Sequence, residues 1–353
     1  MEVSRCPPDC PSWDHLVDLL VYSSSANAGT GYFDISELRR SRAFWAVTNH
    51  DGDAGAGLSG WVQTRDRLAD LGARFVRTDL RWSWFEEAGD ENWSTTKINY
   101  WKDVVRAAKA RGIGLVAILN GPKPSWVTDA NKYSQFQGFC KKMAQEFGAD
   151  VYYYQILNEH NVNQEIAGDL PTFASNCYNG LLLGEGVSAT NHKSVFKTIV
   201  NIYANIFNWD PDLRAGLTLP ASPSTLQLSI TIRLLILARR ATIGAHSTLC
   251  PKSLDKGKEG AIMETGYSST PAGQTMEQNQ EAWVNCALPI IRSKVSLHNG
   301  NNAWVPMLIA GFYELVDQAT GGWTLDNFGL LRTNLSEKPA YDDFRSQVAN
   351  FAG

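Results

Sequence analysis

The sequence holds no uninterrupted apolar run of the roughly 18 residues that a membrane-spanning helix needs. The longest candidate, Leu226 to Ala238, is too short and is broken by Gln227, Ser229, Thr231 and Arg233. An excess of basic residues is also missing: 32 Lys and Arg stand against 36 Asp and Glu, a net charge of -4. Phosphate binding needs a basic face, so neither nucleic acid nor a membrane is expected as a partner. Cys6, Cys10, Cys140, Cys177, Cys250 and Cys286 form no Cys-x-x-Cys pair, the spacing that would suggest a metal centre. Cys140 falls on a helix face and reads as a buried hydrophobe. The N-terminus lacks the basic segment and clean apolar core of a secretory signal, since Leu16 to Tyr22 is interrupted by Asp18. Two sequons, Asn92-Trp93-Ser94 and Asn334-Leu335-Ser336, are compatible with secretion. An extracellular or secretory location is therefore expected, with the cytoplasm kept open.

What the chain does have is size and aromatic content. Its 353 residues, 44% of them hydrophobic, suffice for one large core. Aromatic residues make up 11%. Most of these rings belong to core packing; some are expected to line a cleft in which the C–H faces of a sugar stack on flat rings.

From about residue 40 the chain repeats one unit: amphipathic helix, glycine, apolar strand. Trp61, Val62, Arg65, Leu68 and Leu71 share a helix face that stops at Gly72, and Arg74 to Asp79 follows as a strand. Trp101, Val104, Val105 and Ala108 repeat the pattern up to Gly112, before Gly114 to Leu119. Phe136, Phe139, Cys140, Met143 and Phe147 do so again up to Gly148, before Val151 to Leu157. A glycine just past the last turn is the usual helix stop. Successive helix–glycine–strand units predict parallel strands with helical crossovers. The remaining strands are expected at Ala43–Thr48, Leu213–Leu219 (after a helix near Ser194–Phe207), Thr242–His246, Gly260–Met263 and Val305–Phe312. Helices are expected over Gln274–Lys294 and Pro339–Phe351. One stretch resists: Leu226 to Ile232 alternates with period two, which favours a strand where the pattern needs a helix. The expected fold class is thus α/β, a (β/α)8 TIM barrel in a single domain over residues 41–353, irregular around strands five and six. Residues 1–40, rich in Pro, Ser and Gly, are expected to be a loosely ordered extension.

Two strands end in a glutamate: Val151 to Glu159 and Gly260 to Glu264. The C-terminal end of the strands is where a barrel of this kind places its chemistry, and paired carboxyl groups are how most glycosidases work. Glu159 and Glu264 are the candidate catalytic pair, expected about 5–5.5 Å apart if the reaction retains anomeric configuration. Arg77, near the end of the second strand, is expected inside the barrel mouth as counter-charge to the strand-seven carboxylate. Trp82, Trp84 and Trp126 follow strands two and three on the same face, where core packing and sugar stacking are about equally expected. Asn120, His246 and Tyr267 complete the strand-end candidates.

On these residues the chain resembles clan A glycoside hydrolases, the superfamily of the family 5 cellulases and mannanases and of families 39 and 42. The matching segments are Val76-Arg77-Thr78-Asp79-Leu80-Arg81-Trp82, Leu157-Asn158-Glu159, Met263-Glu264-Thr265-Gly266-Tyr267 and Gly311-Phe312-Tyr313-Glu314-Leu315. Asn327-Phe328-Gly329-Leu330-Leu331 and Lys338-Pro339-Ala340-Tyr341 add to the likeness, which spans roughly residues 43–351. The resemblance implies that Glu159 is the acid/base, Glu264 the nucleophile, and Asn158 a ligand for the sugar 2-hydroxyl. It departs at two places. The strand-eight tryptophan that underlies the sugar is taken by Phe312, and the strand-six His246 is followed by Ser247 and Thr248 rather than by a tyrosine two residues on. The implied function is a retaining β-glycosidase acting as a monomer on a carbohydrate substrate, with no metal or organic cofactor. The alternative is a catalytically impaired sugar-binding barrel.

Overall fold

The computed structural model of the protein describes residues 44–48, 57–148, 150–151, 153–160, 165–184, 197–203, 226–231, 260–262, 264–269, 273–299, 307–318 and 327–351. Among them the strands are β1 (Phe44–Thr48), β2 (Phe75–Arg81), β3 (Gly114–Asn120), β4 (Tyr153–Ile156), β5 (Lys197–Tyr203), β6 (Leu226–Thr231), β7 (Gly260–Ile262) and β8 (Met307–Phe312). The helices are α1 (Gly57–Asp70), α2 (Trp82–Phe85), α3 (Thr95–Lys109), α4 (Lys132–Phe147), α5 (Leu170–Gly184), α6 (Gln274–Asn299) and α7 (Ala340–Phe351). Each strand pairs in parallel with its successor, and β8 pairs with β1, so the sheet returns on itself. Parallel neighbours need a long crossover, and a helix supplies it between β1 and β2, β2 and β3, β3 and β4, β4 and β5, and β7 and β8. None of the helices in the described residues is long and apolar enough to cross a membrane.

Glycine ends the first two crossover helices as the sequence predicts. Gly72 and Gly112 have φ of 73° and 69°, the left-handed region that side chains other than glycine resist. Gly148 does not follow them: it continues the right-handed turn at φ -53°. The outer face of the sheet and the inner faces of the helices form one apolar layer. Val76, Leu80, Leu115 and Leu119 from the strands are buried with Trp101, Val104, Phe136, Phe139 and Phe147 from α3 and α4. Each such side chain contributes about 1.5–3 kcal/mol by leaving water.

The middle of the chain departs from the predicted order. The segments expected as strands five and six, Leu213–Leu219 and Thr242–His246, lie outside the described residues. Strand β5 instead occupies Lys197–Tyr203, inside the stretch expected to be helical. Its sequence, Lys-Thr-Ile-Val-Asn-Ile-Tyr, is dense in β-branched residues, which pack well on a pleated surface and lose rotamer freedom in a helix. Strand β6 is the period-two segment, Leu226–Thr231. That placement removes the conflict in the sequence: residues 232–259 separate β6 from β7, whereas a sixth strand ending at His246 would leave only residues 247–259 for the crossover.

Register decides which side chains face inward. Partnered residues of parallel strands present their side chains to the same face. Thr48 pairs with Arg77, Arg77 with Val116, and Val116 with Tyr153. Asp79 pairs with Ile118, and Ile118 with Gln155. One inward row therefore carries Thr48 and Arg77, and the next carries Asp79 and Gln155, all buried. Val47 pairs with Phe312, and both face the helices.

Candidate active site

Arg77 organises the site. Its guanidinium is 1% exposed and spends its donors on four partners. Nη1 lies 2.5 Å from Oε1 of Glu264 and 3.4 Å from Oγ1 of Thr48. Nη2 donates to Oδ1 of Asn158 at 2.7 Å, and Nε to Oε1 of Gln155 at 2.8 Å. A rigid fork of donors thus ties the end of β7 to the end of β4. Glu264 is 1% exposed and Glu159, next to Asn158, is 5% exposed. The two glutamates reach the same end of the sheet because both follow parallel strands.

The turn Leu157-Asn158-Glu159 is conformationally unusual. Leu157 and Glu159 have φ of 54° and 45°, each of the kind that costs about 1–3 kcal/mol in a residue other than glycine. Neighbouring bonds over-determine it: Leu157 N–H donates to the Leu119 carbonyl at 3.0 Å, and Gln155 Nε2 donates to the Leu157 carbonyl at 2.8 Å and to Asn158 Oδ1 at 3.2 Å. Two donors converge on Asn158 Oδ1, which sets the amide orientation. The oxygen faces Arg77 and Gln155, and the –NH2 group is directed away from them as a donor.

The β7 end is held by β8. Tyr313 N–H donates to the Thr265 carbonyl at 2.8 Å. Gly266 packs so closely on the Tyr313 carbonyl that a Cβ there would clash with it. Behind these loops, Lys338 Nζ binds Asp317 at 2.7 Å and Ser269 at 2.9 Å in a buried cluster. Asp317 in turn accepts from the Gly329 N–H at 2.8 Å. The charged pair joins the segments that follow β7 and β8.

The structure corrects two of the predicted sugar contacts. Trp82 is fully buried: it stacks on Phe139 at 5.9 Å and meets Phe136 edge-on at 5.6 Å, with its indole N–H on Glu86 at 2.9 Å. Fully buried and with its N–H occupied, it is a core residue, as its outward place after the inward Arg77 and Asp79 requires. Phe312 also faces outward, against Phe344 at 4.8 Å and Trp283 at 6.3 Å. The inward aromatic at the end of β8 is the next residue, Tyr313. Its hydroxyl accepts from Gln318 Nε2 at 2.6 Å, and the same nitrogen donates to Glu314 at 2.8 Å.

The other predicted residues take varied positions. Asn120 lies on the inward face and donates to Asp79 Oδ1 at 2.9 Å. Trp126 is half-buried on the loop after β3, its indole N–H on the Glu86 carbonyl at 3.0 Å. Lys97 covers Trp84, its Nζ 4.0 Å from the ring centre. Tyr267 is half-buried with its ring toward Trp283 at 6.5 Å, and burial raises its hydroxyl pKa. His246 lies outside the described residues. No group of three or more His, Cys, Asp or Glu among the described residues is placed to hold a metal ion. Sequence reading passed over Asp79, Gln155 and Tyr313. The first two were visible as polar residues in apolar strands at period-two spacing from Arg77 and Tyr153; Tyr313 needed the register of β8.

His160, directly after Glu159, is buried with Nε2 2.7 Å from the Gly168 carbonyl oxygen. A carbonyl only accepts, so Nε2 carries the proton. Burial holds this imidazole below its ordinary value of 6.5, opposed in part by the Gly168 bond and the charge of Asp169. A histidine depressed in the folded state contributes stability that is complete above about pH 6.5 and is lost as pH falls toward its folded value. The wild type should therefore lose more stability than His160→Gln between pH 7 and pH 5, read from urea midpoints. Equal losses would mean that His160 titrates alike in both states.

No family model matches the chain, and no curated relative does. Solved structures do match it. A family 39 glycoside hydrolase from the gut symbiont Bacteroides cellulosilyticus WH2 aligns with a TM-score of 0.61 and 16% identity, over 88% of this chain and 64% of that one. A GH5_18 structure from Streptomyces cattleya, in complex with GlcNAc, gives 0.62 and 12% over 88% and 81%. An exo-β-1,4-mannosidase from Opitutaceae bacterium strain TAV5 gives 0.53 and 12% over 92% and 62%. The chain spans less than two thirds of the length of the family 39 enzyme and of the mannosidase. These neighbours are clan A glycoside hydrolases, and the chain is similar to them in fold.

Proposed function

We propose that the chain is a complete (β/α)8 barrel and a retaining β-glycosidase, with Glu264 as nucleophile and Glu159 as acid/base. The observation that carries the reading is the Arg77 fork, which binds the Glu264 carboxylate and the Asn158 amide at the same time. It supports the reading by joining the residue proposed as nucleophile to the amide proposed to donate to the sugar 2-hydroxyl, with Glu159 next in the chain. In the first step Glu264 Oε attacks the anomeric carbon while Glu159 gives its proton to the leaving oxygen. In the second, Glu159 takes a proton from water, which attacks the same carbon and releases Glu264. Solved neighbours include an exo-β-1,4-mannosidase, a β-glucosidase and GH5_18 proteins bound to Manβ1-4GlcNAc. By analogy, β-linked glucosyl or mannosyl substrates are the first to try.

Aryl β-glycosides of glucose, mannose, xylose and galactose test the reading, with the first-formed anomer followed by NMR. Turnover with the β-anomer appearing first is expected. Release of the α-anomer would overturn retention, and sugar binding without turnover would overturn the glycosidase. The corrected aromatic gives a second test. Tyr313→Ala should raise KM for aryl glycosides roughly tenfold, the worth of one aromatic contact of about 1–1.5 kcal/mol. Phe312→Leu should lower stability by about 1 kcal/mol with KM unchanged. The opposite pattern would return the sugar platform to Phe312.

A further inference from the structure

We propose that Lys338 is a positioning residue for the reaction: from just before α7 it locks together the segments that carry Glu264 and Tyr313, and so fixes where the nucleophile stands. The inference rests on the glycosidase reading. Residues 264–269 run on past β7 with neither helix nor strand of their own. Their place is therefore set by bonds to other parts of the chain. The Thr265 carbonyl accepts from Tyr313 N–H at 2.8 Å, and the Tyr267 carbonyl from Gln280 Nε2 at 2.9 Å. Ser269 N–H donates to the Asn327 carbonyl at 2.8 Å. The first and last of these bonds lead to residues 313–318 and 327–331, which also lie outside the barrel strands and the helices.

Lys338 ties all three segments to one anchored point. An ammonium has three protons. Nζ directs one to each segment: to Ser269 Oγ at 2.9 Å, to Asp317 Oδ1 at 2.7 Å and to the Asn327 carbonyl at 3.4 Å. Its own backbone is held on both sides. Lys338 N–H donates to the Leu330 carbonyl at 3.0 Å, and its carbonyl accepts from Tyr341 N–H in α7 at 2.9 Å. The Lys338 and Asp317 side chains are 1% and 7% exposed. Burial pushes the Lys338 pKa down and the Asp317 pKa up, each opposed by the charge of the other. Buried ion pairs are a poor source of stability, because uncharged residues of similar volume often hold a fold as well. What this pair supplies is direction: a cation with three fixed acceptors permits one arrangement of the loops behind the nucleophile.

Lys338→Met/Asp317→Asn tests the lock, since it removes both charges, nearly conserves volume and leaves an oxygen for the Gly329 N–H. Its urea midpoint should stay close to that of wild type. Its kcat on aryl β-glycosides should fall roughly 10- to 100-fold, the scale of a misplacement of about 1 Å. KM should stay within about threefold, because the loss falls on the transition state. Lys338→Met alone should lower the midpoint as well, with Asp317 left buried and unpaired. Amide hydrogen exchange gives a readout that does not need turnover. In the double variant the Tyr313 and Ser269 amides should exchange at least about tenfold faster, with Val104 and Phe139 in α3 and α4 unchanged. Ser269→Ala, which removes one acceptor and no charge, should show the same changes in smaller measure and serves if the double variant does not fold. Wild-type kcat in the double variant, a rise in KM alone, or unchanged exchange at Tyr313 and Ser269 would overturn the proposal. If wild type hydrolyses none of the aryl glycosides, the glycosidase reading fails and exchange alone decides: faster exchange at those two amides keeps the lock, and unchanged rates reject it.

Discussion

Glu264→Ala is expected to lower turnover of aryl β-glycosides by on the order of 10⁴-fold or more, the usual scale for removing a nucleophile. Azide or formate should restore much of the lost rate. A small anion fits the space of the missing carboxylate and attacks the anomeric carbon once, giving an α-linked product. Glu159→Ala should behave differently: substrates with good leaving groups need little protonation and should keep their first step. Azide there should give a β-linked product, because it acts on the intermediate that Glu264 has already formed. The anomeric configuration of the azide adducts, read by NMR, assigns the two roles. Identical adducts from both variants, or equal loss on good and poor leaving groups, would refute the assignment.

Arg77→Met is expected to cost about 3–5 kcal/mol of stability, because it leaves a buried carboxylate without its counter-charge. Glu264 is buried to 1% exposure and lies 2.5 Å from the guanidinium, so water cannot easily replace it. The rate should fall as well, since Asn158 loses the shorter of the two bonds that orient its amide. Arg77→Lys separates charge from geometry: a lysine restores one positive charge but cannot bind Glu264 and Asn158 with a planar fork. It should recover part of the stability and little of the rate, judged by urea midpoints beside kcat/KM. A methionine variant as stable as wild type would show that Glu264 is not held by this pair.

How far the sequence reaches is clearest where residue pattern and burial coincide. The helix faces of Trp101, Val104 and Val105 and of Phe136, Phe139 and Met143 were legible because amphipathic periodicity is a local property, and these residues are indeed buried. The strands before Glu159 and Glu264 were legible as apolar runs. The fifth strand was not: Lys197–Tyr203 reads equally as the apolar face of a short helix, and only its pairing with β4 and β6 settles it. The alternation in Leu226–Thr231 had given the right local answer, against the expected order of elements.

By itself the sequence determined the parallel α/β architecture and put Asn158, Glu159 and Glu264 just past strand ends, since composition and period act within a few residues of one another; Arg77, expected near the end of its strand, lies inside β2 with four strand residues after it. Which side chains meet was decided by tertiary structure. Phe312 and Tyr313 are neighbours in the chain, and only the pairing of Phe312 with Val47 turns the first to the helices and the second inward. Trp82 was a candidate until its rings of contact, Phe136 and Phe139, arrived from α4. Arg77 and Glu264 are 187 residues apart, and their ion pair exists because a closing sheet brings β2 and β7 to one interior. Long-range contacts of this kind depend on the register of every strand between them, which no local pattern encodes.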